Sequence, residues 1–288
     1  MNPVLLRQIV ARALIEDVGV GDVTGGAFAD VSASGRIVAE APIVVAGIPA
    51  AREVFYQVDP EVTFDARLAD GAAAANGEVL LTVDGNGSAL LAAERVALNL
   101  LQRLSGVATL TRAYVQAVAG TGCMIADTRK TTPGLRMLEK YAVRMGGGRN
   151  HRMGLADGVL IKENHIALAG SLAEAVRRVR ERAGHSLRVE VETTHLGEVD
   201  EALKARADII MLDNFGLADT KKAVAHIAGR AIVEASGGIH LDNVRAVAET
   251  GVNVISIGRL THSAPAAEIS MDIGAGQPQR EYSRKPPG

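Results

Sequence analysis

The chain has 288 residues, 48% hydrophobic and 22% charged, with a net charge of −2 and one cysteine. A core of useful size follows, and an intrinsically disordered chain does not. The near-neutral balance argues against a general nucleic-acid or membrane-surface binder, and Cys123 alone allows neither an internal disulfide nor a cysteine-based zinc site.

Met1 to Asp17 reads as an amphipathic helix without the basic start and long apolar centre of a secretion signal. No run of about 20 apolar residues occurs, so nothing is expected to span a membrane. A cytoplasmic protein is expected. Residues 31–48 alternate and carry Ile37, Val38, Ile43, Val44 and Val45. Val62-Thr63-Phe64 and Val79 to Val83 are further short strands, and 49–58 reads as a helix. This irregular mixture predicts an α+β domain. Leu90 to Leu104 is a strong helical stretch, with Ser88 as its expected cap and Ser105-Gly106 as its expected stop. Its polar residues Arg95, Asn99 and Gln102 fall on one stripe.

From Gly122 the pattern turns regular. Apolar runs at 123–126, 158–161, 187–191, 208–212, 231–235 and 252–257 alternate with helical segments near 134–145, 171–183, 195–204, 217–228 and 240–250. A further helix is expected at 107–119. Such alternation is that of βα units. Cys123, at the head of the first run, reads as a buried packing residue.

Every run delivers polar or glycine residues at its end: Asp127-Thr128-Arg129-Lys130, Lys162-Glu163-Asn164-His165, Glu190-Val191-Glu192, Asp213-Asn214, Glu234 before Ser236-Gly237-Gly238, and Gly258-Arg259. An open doubly wound sheet uses only some of its strand ends, whereas a barrel gathers all of them around one mouth. A barrel of six or seven strands is therefore expected. The stretch Gly274 to Gly288, rich in glycine, proline and charge, reads as a loose tail.

Arg129, Lys130, Arg152, His151 when protonated, and Lys162 would supply cations to this mouth; Lys162, after an apolar run, also suits a Schiff-base nucleophile or a snorkelling surface residue. Arginine suits carboxylate and phosphate by paired hydrogen bonds, lysine as a point charge. Glu190 and Glu192 share a strand face, and with Asp213 they suit Mg²⁺ or ribose hydroxyls, or a structural ion-pair network with Lys162 and Arg152. Ser236-Gly237-Gly238 before a helix, followed by the turn at Gly258, suits phosphate, with His262 as a possible assistant. A polycarboxylate together with a phosphorylated sugar and Mg²⁺ would use all three sides.

These segments together resemble the quinolinate phosphoribosyltransferase family, a type II phosphoribosyltransferase group. The resemblance rests on Glu16-Asp17 to Gly19, Gly21-Asp22 and Thr24; Ala93-Glu94-Arg95 with Leu98-Asn99-Leu100; Asp127 to Thr131 with Pro133-Gly134; and Lys140-Tyr141-Ala142-Val143. It continues through Gly146-Gly147-Gly148 with Asn150-His151-Arg152, Ile161-Lys162 with Asn164-His165, Glu190-Val191-Glu192 and Leu212-Asp213-Asn214-Phe215. Ser236-Gly237-Gly238-Ile239 and Gly258 with Leu260-Thr261-His262-Ser263 complete it, in family order. One departure is Gly25, where a second threonine is common after Thr24.

The resemblance implies an α/β fold: an N-terminal α/β sandwich domain (1–105), with room for segment 266–288 to pack back on it, and an open seven-stranded α/β barrel (106–265). It implies a homodimer and a Mg²⁺-dependent reaction of quinolinate with phosphoribosyl pyrophosphate (PRPP), yielding nicotinate mononucleotide, pyrophosphate and CO₂. Carried over, Thr128, Arg129, Lys130, His151, Arg152 and Lys162 bind quinolinate with Arg95 of the neighbouring subunit. Glu192 and Asp213 face the ribose and Mg²⁺, and Lys130, Lys162, Glu192 and Asp213 form the catalytic set. Ser236, Gly237, Gly238, Ile257, Gly258, Arg259 and His262 hold phosphate. Neither nucleic acid nor membrane is an expected partner.

Overall fold

A computed structural model describes residues 1–275. The chain divides into two compact units, Met1–Gly106 with the stretch from Ala266, and Val107–Pro265.

The first unit is built on an antiparallel sheet. Its strands are β1 (Ser32–Ala39), β3 (Thr63–Ala66), β5 (Val79–Asn86) and β12 (Ile269–Ala275), in the order β12-β1-β5-β3. Ala33, Gly35, Ile37 and Ala39 of β1 are inside and the residues between them face outward, the period of two that a half-buried strand requires. Two short strands, β2 (Ile43–Val44) and β4 (Ala73–Ala74), pair separately. Helix α1 (Pro3–Asp17) starts where the Asn2 side chain accepts hydrogen bonds from the Val4 and Leu5 amides. Helix α2 (Ile48–Val58) buries Ala50, Ala51, Val54 and Phe55. Near Gly25, the Asp22 carboxylate accepts from the Gly25 amide at 2.8 Å, and a β-carbon at Gly25 would sit 2.1 Å from that carboxylate. A threonine there would displace Asp22, so glycine suits this turn.

Three expectations change here. Helix α3 (Gly87–Ala117) is one helix of 31 residues that runs through Ser105-Gly106 and absorbs the separate helix expected at 107–119. Ser105 is fully buried and exchanges hydrogen bonds with the Ala46 amide and carbonyl, each at 3.1 Å, so it is a packing residue rather than a stop. The start is capped by Asn86, whose side chain accepts from the Ala89 amide at 3.3 Å, in place of Ser88. The stretch from Gly274 begins inside β12, where Gly274 and Ala275 pair with Ser34 and Ala33 of β1; the rest of the expected tail lies outside the described residues.

The second unit carries six parallel strands: β6 (Met124–Ala126), β7 (Val159–Ile161), β8 (Val189–Thr193), β9 (Ile209–Asp213), β10 (Ile232–Ser236) and β11 (Val254–Ser256). Their order is β6-β11-β10-β9-β8-β7. The seventh strand position is reduced to Arg149, which forms a single parallel bridge with Ala126 at the free edge of β6. Among the described residues β6 and β7 are not paired, so the barrel is open at that point.

The covering helices are α4 (Arg136–Met145), α5 (Glu163–Ala169), α6 (Leu172–Arg182), α7 (Leu196–Lys204), α8 (Leu217–Ile227), α9 (Leu241–Ala248) and the short α10 (Arg259–His262). Helix α5 was not anticipated: Glu163-Asn164-His165 form its first turn instead of extending β7. Register brings the strand ends level. Ser236 stands opposite Asp213 on one side and Ser256 on the other, and Ser256 opposite Ala126.

The triple glycine of this unit is a contact surface. A β-carbon at Gly146 would lie 2.5 Å from the Ala108 carbonyl oxygen, and one at Gly148 would lie 2.8 Å from Thr111. Only glycine lets this segment run against α3, and that path delivers Asn150, His151 and Arg152 to the strand ends.

Candidate active site

A cavity of about 990 Å³ opens where the strand ends of the second unit converge. Thr128, Arg129, Lys130, His151, Arg152, Lys162, Glu192, Asp213, Ser236, Gly237 and Gly238 line it. Each was anticipated from the sequence. The lining also includes Asn214, His165, Leu155, Met211 and Ser256, which had no assigned role.

The cation side hangs from one buried anchor. Asp127, at the end of β6, is fully buried and pairs with the fully buried Lys140 of α4. Its carboxylate also accepts from Asn150 Nδ2 at 2.6 Å and from the His151 amide at 2.9 Å. Lys140 Nζ donates on to the His151 carbonyl at 3.0 Å. Burial pushes the Asp127 carboxyl above, and the Lys140 amine below, its ordinary range, and the attraction of each for the other opposes this. The motif Asn150-His151-Arg152 is thereby fixed at both its backbone and its first side chain. Sequence reasoning quoted Asp127 and Lys140 as motif residues without giving them this task.

Against that anchored frame two of the mouth cations, Arg129 and Arg152, are poorly paired. Arg129 Nε is buried and has no hydrogen-bond partner. The Arg152 guanidinium donates one bond, to the Gly158 carbonyl at 3.1 Å, and burial followed by the charge of Arg129 lowers its pKa. Two arginines pressed together with an unmet buried donor form a receptor for an anion.

His151 differs from expectation. Nδ1 accepts from the Arg152 amide at 2.7 Å, while Nε2 faces Glu190 Oε2 at 3.0 Å and Glu234 Oε1 at 3.8 Å. Both ring nitrogens are engaged within the protein. The ring therefore supports the floor and holds no free donor toward a substrate carboxylate. Hydrogen bonding to Glu190 outweighs burial and raises its pKa.

On the opposite side Glu192, from β8, forms an ion pair with Lys162, which lies just past β7. This is the part of the expected ion-pair network that forms; Arg152 takes no carboxylate partner. Asp213 ends β9 and accepts from Asn214 Nδ2 at 2.9 Å. Asn214 and Gly237 are shaped to each other: Asn214 has φ 56°, Gly237 has φ 86°, and a β-carbon on Gly237 would lie 2.3 Å from Asn214 Oδ1. Asn243 of α9 donates to the Gly238 carbonyl at 2.9 Å and accepts from the His240 amide, which holds the loop over the helix start.

The remaining expected phosphate residues stand apart from the lining. Gly258 backs onto Lys130, where a β-carbon would lie 2.9 Å from Lys130 Cδ. Thr261 Oγ1 donates to the Lys130 carbonyl at 2.6 Å, so this turn shapes Lys130. Ile257 is buried, Arg259 is exposed, and exposed His262 contacts Ser263 through Nδ1 at 2.6 Å. Arg95 belongs to the other unit, exposed on α3. Cys123 is only partly buried, with its thiol pushed up to about 11 by desolvation, so it is a quiet residue at the margin of β6.

Glu192 and Asp213 offer two hard oxygen donors from neighbouring strands. That pair suits Mg²⁺, which keeps several waters and shares substrate phosphate oxygens. Among the described residues, the one group of three metal-capable side chains within 4.8 Å is His151, Glu190 and Glu234.

Comparison with known proteins gives one consistent answer. Residues 22–105 match the model of the quinolinate phosphoribosyl transferase N-terminal domain, and residues 107–272 match that of its C-terminal domain. The chain is 46% identical over 275 residues to a probable nicotinate-nucleotide pyrophosphorylase (carboxylating) of Bacillus subtilis, covering 95% of both. It is 44% identical over 277 residues to the nicotinate-nucleotide pyrophosphorylase (carboxylating) of Mycobacterium leprae, covering 93% of this chain and 96% of that one. The solved nicotinate-nucleotide pyrophosphorylase of Francisella tularensis superposes with a TM-score of 0.92 at 37% identity, over 95% of this chain and 98% of that one. NadC from Streptococcus pyogenes gives 0.92 at 39% identity, over 96% and 99%. No helix of the described residues is long and apolar enough to cross a membrane.

Proposed function

The chain belongs to the quinolinate phosphoribosyltransferase family, and we propose that it transfers phosphoribosyl from PRPP to quinolinate with loss of CO₂, in NAD biosynthesis. The observation that carries this reading is the buried, unpartnered Arg129 Nε beside Arg152, across one cavity from Glu192 and Asp213. A dicarboxylate satisfies the first pair, and a cationic sugar carbon the second.

In this reading Arg129, Arg152 and Lys130 hold the two quinolinate carboxylates and aim the pyridine nitrogen at C1 of the ribose. Lys162 keeps its ion pair with Glu192 until substrate arrives and then turns to an anionic oxygen. Pyrophosphate leaves C1, and positive charge builds on the ribose. Glu192 and Asp213 stabilise it through space, in a cavity where their field is stronger than in water. The glycine amides of 237–238 receive phosphate oxygens, since glycine lets the backbone approach them. Glu192 and Asp213 would hold Mg²⁺, which would supply charge neutralisation for the departing pyrophosphate.

Bond formation leaves the ring nitrogen cationic. The C2–carboxylate bond then breaks to release CO₂, its electron pair stays on C2 beside that nitrogen, and C2 takes up a proton. Attack is by the substrate's own nitrogen, so no residue need act as covalent nucleophile, Lys162 included. The reading extends to a cytoplasmic homodimer, with Arg95 of one subunit completing the site of the other, and to no role in nucleic-acid binding.

The test is a Mg²⁺-dependent assay with PRPP and quinolinate labelled at the 2-carboxylate. Equal yields of labelled CO₂ and nicotinate mononucleotide support the reading. Turnover of another base with none of quinolinate would keep the phosphoribosyl transfer and overturn the substrate.

A further inference from the structure

Beneath the cavity lies a polar layer that the reaction above does not use. Glu190 and Glu234 come from β8 and β10, two strands separated by β9, and both reach the ring of His151. Each glutamate is 3% exposed. Glu190 Oε1, Glu234 Oε1 and the Ser256 hydroxyl are all buried without a hydrogen-bond partner. His151 Nε2–H thus meets one oxygen of Glu190, and one buried oxygen of each glutamate remains without a donor. Two ionised carboxylates in this space would repel each other, with one imidazolium to offset them.

A metal ion is a poor answer to this imbalance, because the Arg152 charge already acts on Glu190, so the layer borders a fixed cation. A proton is the smaller remedy. It removes one charge and adds the missing donor. Glu190 has the direct bond to His151 at 3.0 Å, and Glu234 the longer contact at 3.8 Å, so Glu234 is the group to carry it.

We propose that Glu234 is a positioning residue that works as the neutral acid, so that His151 and Glu190 form a balanced pair and the cavity floor carries no net negative charge toward an incoming dicarboxylate. Burial, then the charge of Glu190, push the Glu234 carboxyl up to about 7, with the charge of His151 opposing. The charged groups around the layer are Glu190 on β8, His151 and Arg152 on the loop after Arg149, and Lys140 on α4, itself paired with Asp127. When Glu234 ionises, one added negative charge lies below the substrate, and the ring that supports the Arg152 amide is drawn between two carboxylates. The consequence for turnover rests on the function proposed above; the protonation itself does not.

Two readouts separate these. The first is thermal stability of wild type and Glu234→Gln from about pH 5 to pH 8.5, without substrates. The folded-state pKa of Glu234 is raised, so the native state binds the extra proton and wild type loses stability as pH rises through the window from the ordinary carboxyl value to about 7. The amide cannot ionise. The melting temperature of the variant should gain on wild type across that window and hold its lead above it. A difference that does not change with pH overturns the proposal. So does a wild-type melting temperature that falls on dialysis against a chelator while that of Glu234→Gln does not, since a metal ion would then occupy the layer.

The second readout is the KM for quinolinate at saturating PRPP and Mg²⁺. Wild type should weaken by roughly tenfold between about pH 6 and pH 8.5, with kcat changing less, and Glu234→Gln should stay flat near the low-pH value. A variant that keeps the full rise overturns the link to substrate. If wild type turns over no quinolinate, the assigned reaction falls and the stability readout still decides the protonation.

Discussion

Asp127–Lys140 and Arg129–Arg152 come from the same stretch of chain, but the first joins opposite charges and the second sets like charges together, and the fold treats them oppositely. The first pair is fully buried and saturated with partners. The second crowds two like charges and leaves a buried donor unmet. Charges that the fold satisfies hold the frame, whereas charges left unsatisfied are kept for a ligand. The two sets should therefore respond differently to the same kind of damage.

The largest effect should come from Lys140→Met, which strands Asp127 as a buried carboxylate without its counter-ion. A loss of about 3–5 kcal/mol in urea unfolding is expected. A loss below about 1 kcal/mol would show that Asp127 is not the anchor. Arg129→Ala should do the reverse: stability stays within about 0.5 kcal/mol, while quinolinate affinity falls about 10- to 100-fold, the worth of one charge-assisted contact. Equal affinity in wild type and variant would remove the carboxylate assignment.

Gly237→Ala sharpens the comparison on the phosphate side. Its φ of 86° and the Asn214 side chain 2.3 Å from the new β-carbon predict a loss of about 1–3 kcal/mol and a raised KM for PRPP, with the KM for quinolinate changed less. An alanine variant with normal PRPP kinetics would show that the loop does not cradle phosphate. The smallest effect belongs to the exposed helix cluster in which Glu174 meets Arg177 and Arg178. Its carboxyl is held down to about 2 by those partners, yet Arg177→Ala should leave the melting temperature and kinetics unchanged, because solvent screens the pair.

The barrel was legible because strands buried on both faces read as unbroken apolar runs, and because their polar ends repeat at one place in each unit. Arg129, Arg152, Glu192, Asp213 and Ser236-Gly237-Gly238 could be selected on those grounds, and they do meet in one cavity. What escaped depends on partners distant in sequence. Ser105 looks like a helix stop until Ala46 is seen against it. Strand β12 exists only because β1, more than two hundred residues earlier, offers it an edge. Glu234 could be placed at a strand end, but its meeting with Glu190 across the barrel interior has no local signal. His151 was read as one more substrate cation, because sequence cannot tell that both of its nitrogens are already taken.

The measurement that tests the account most directly is the kcat/KM of the wild-type protein for quinolinate against nicotinate, in one Mg²⁺- and PRPP-dependent assay. Nicotinate lacks the 2-carboxylate and so leaves part of the arginine site unmet. The account predicts that quinolinate is preferred by about 100-fold or more, with one CO₂ released for each nucleotide formed. Equal use of the two bases, or nucleotide formed from quinolinate without CO₂, would contradict it.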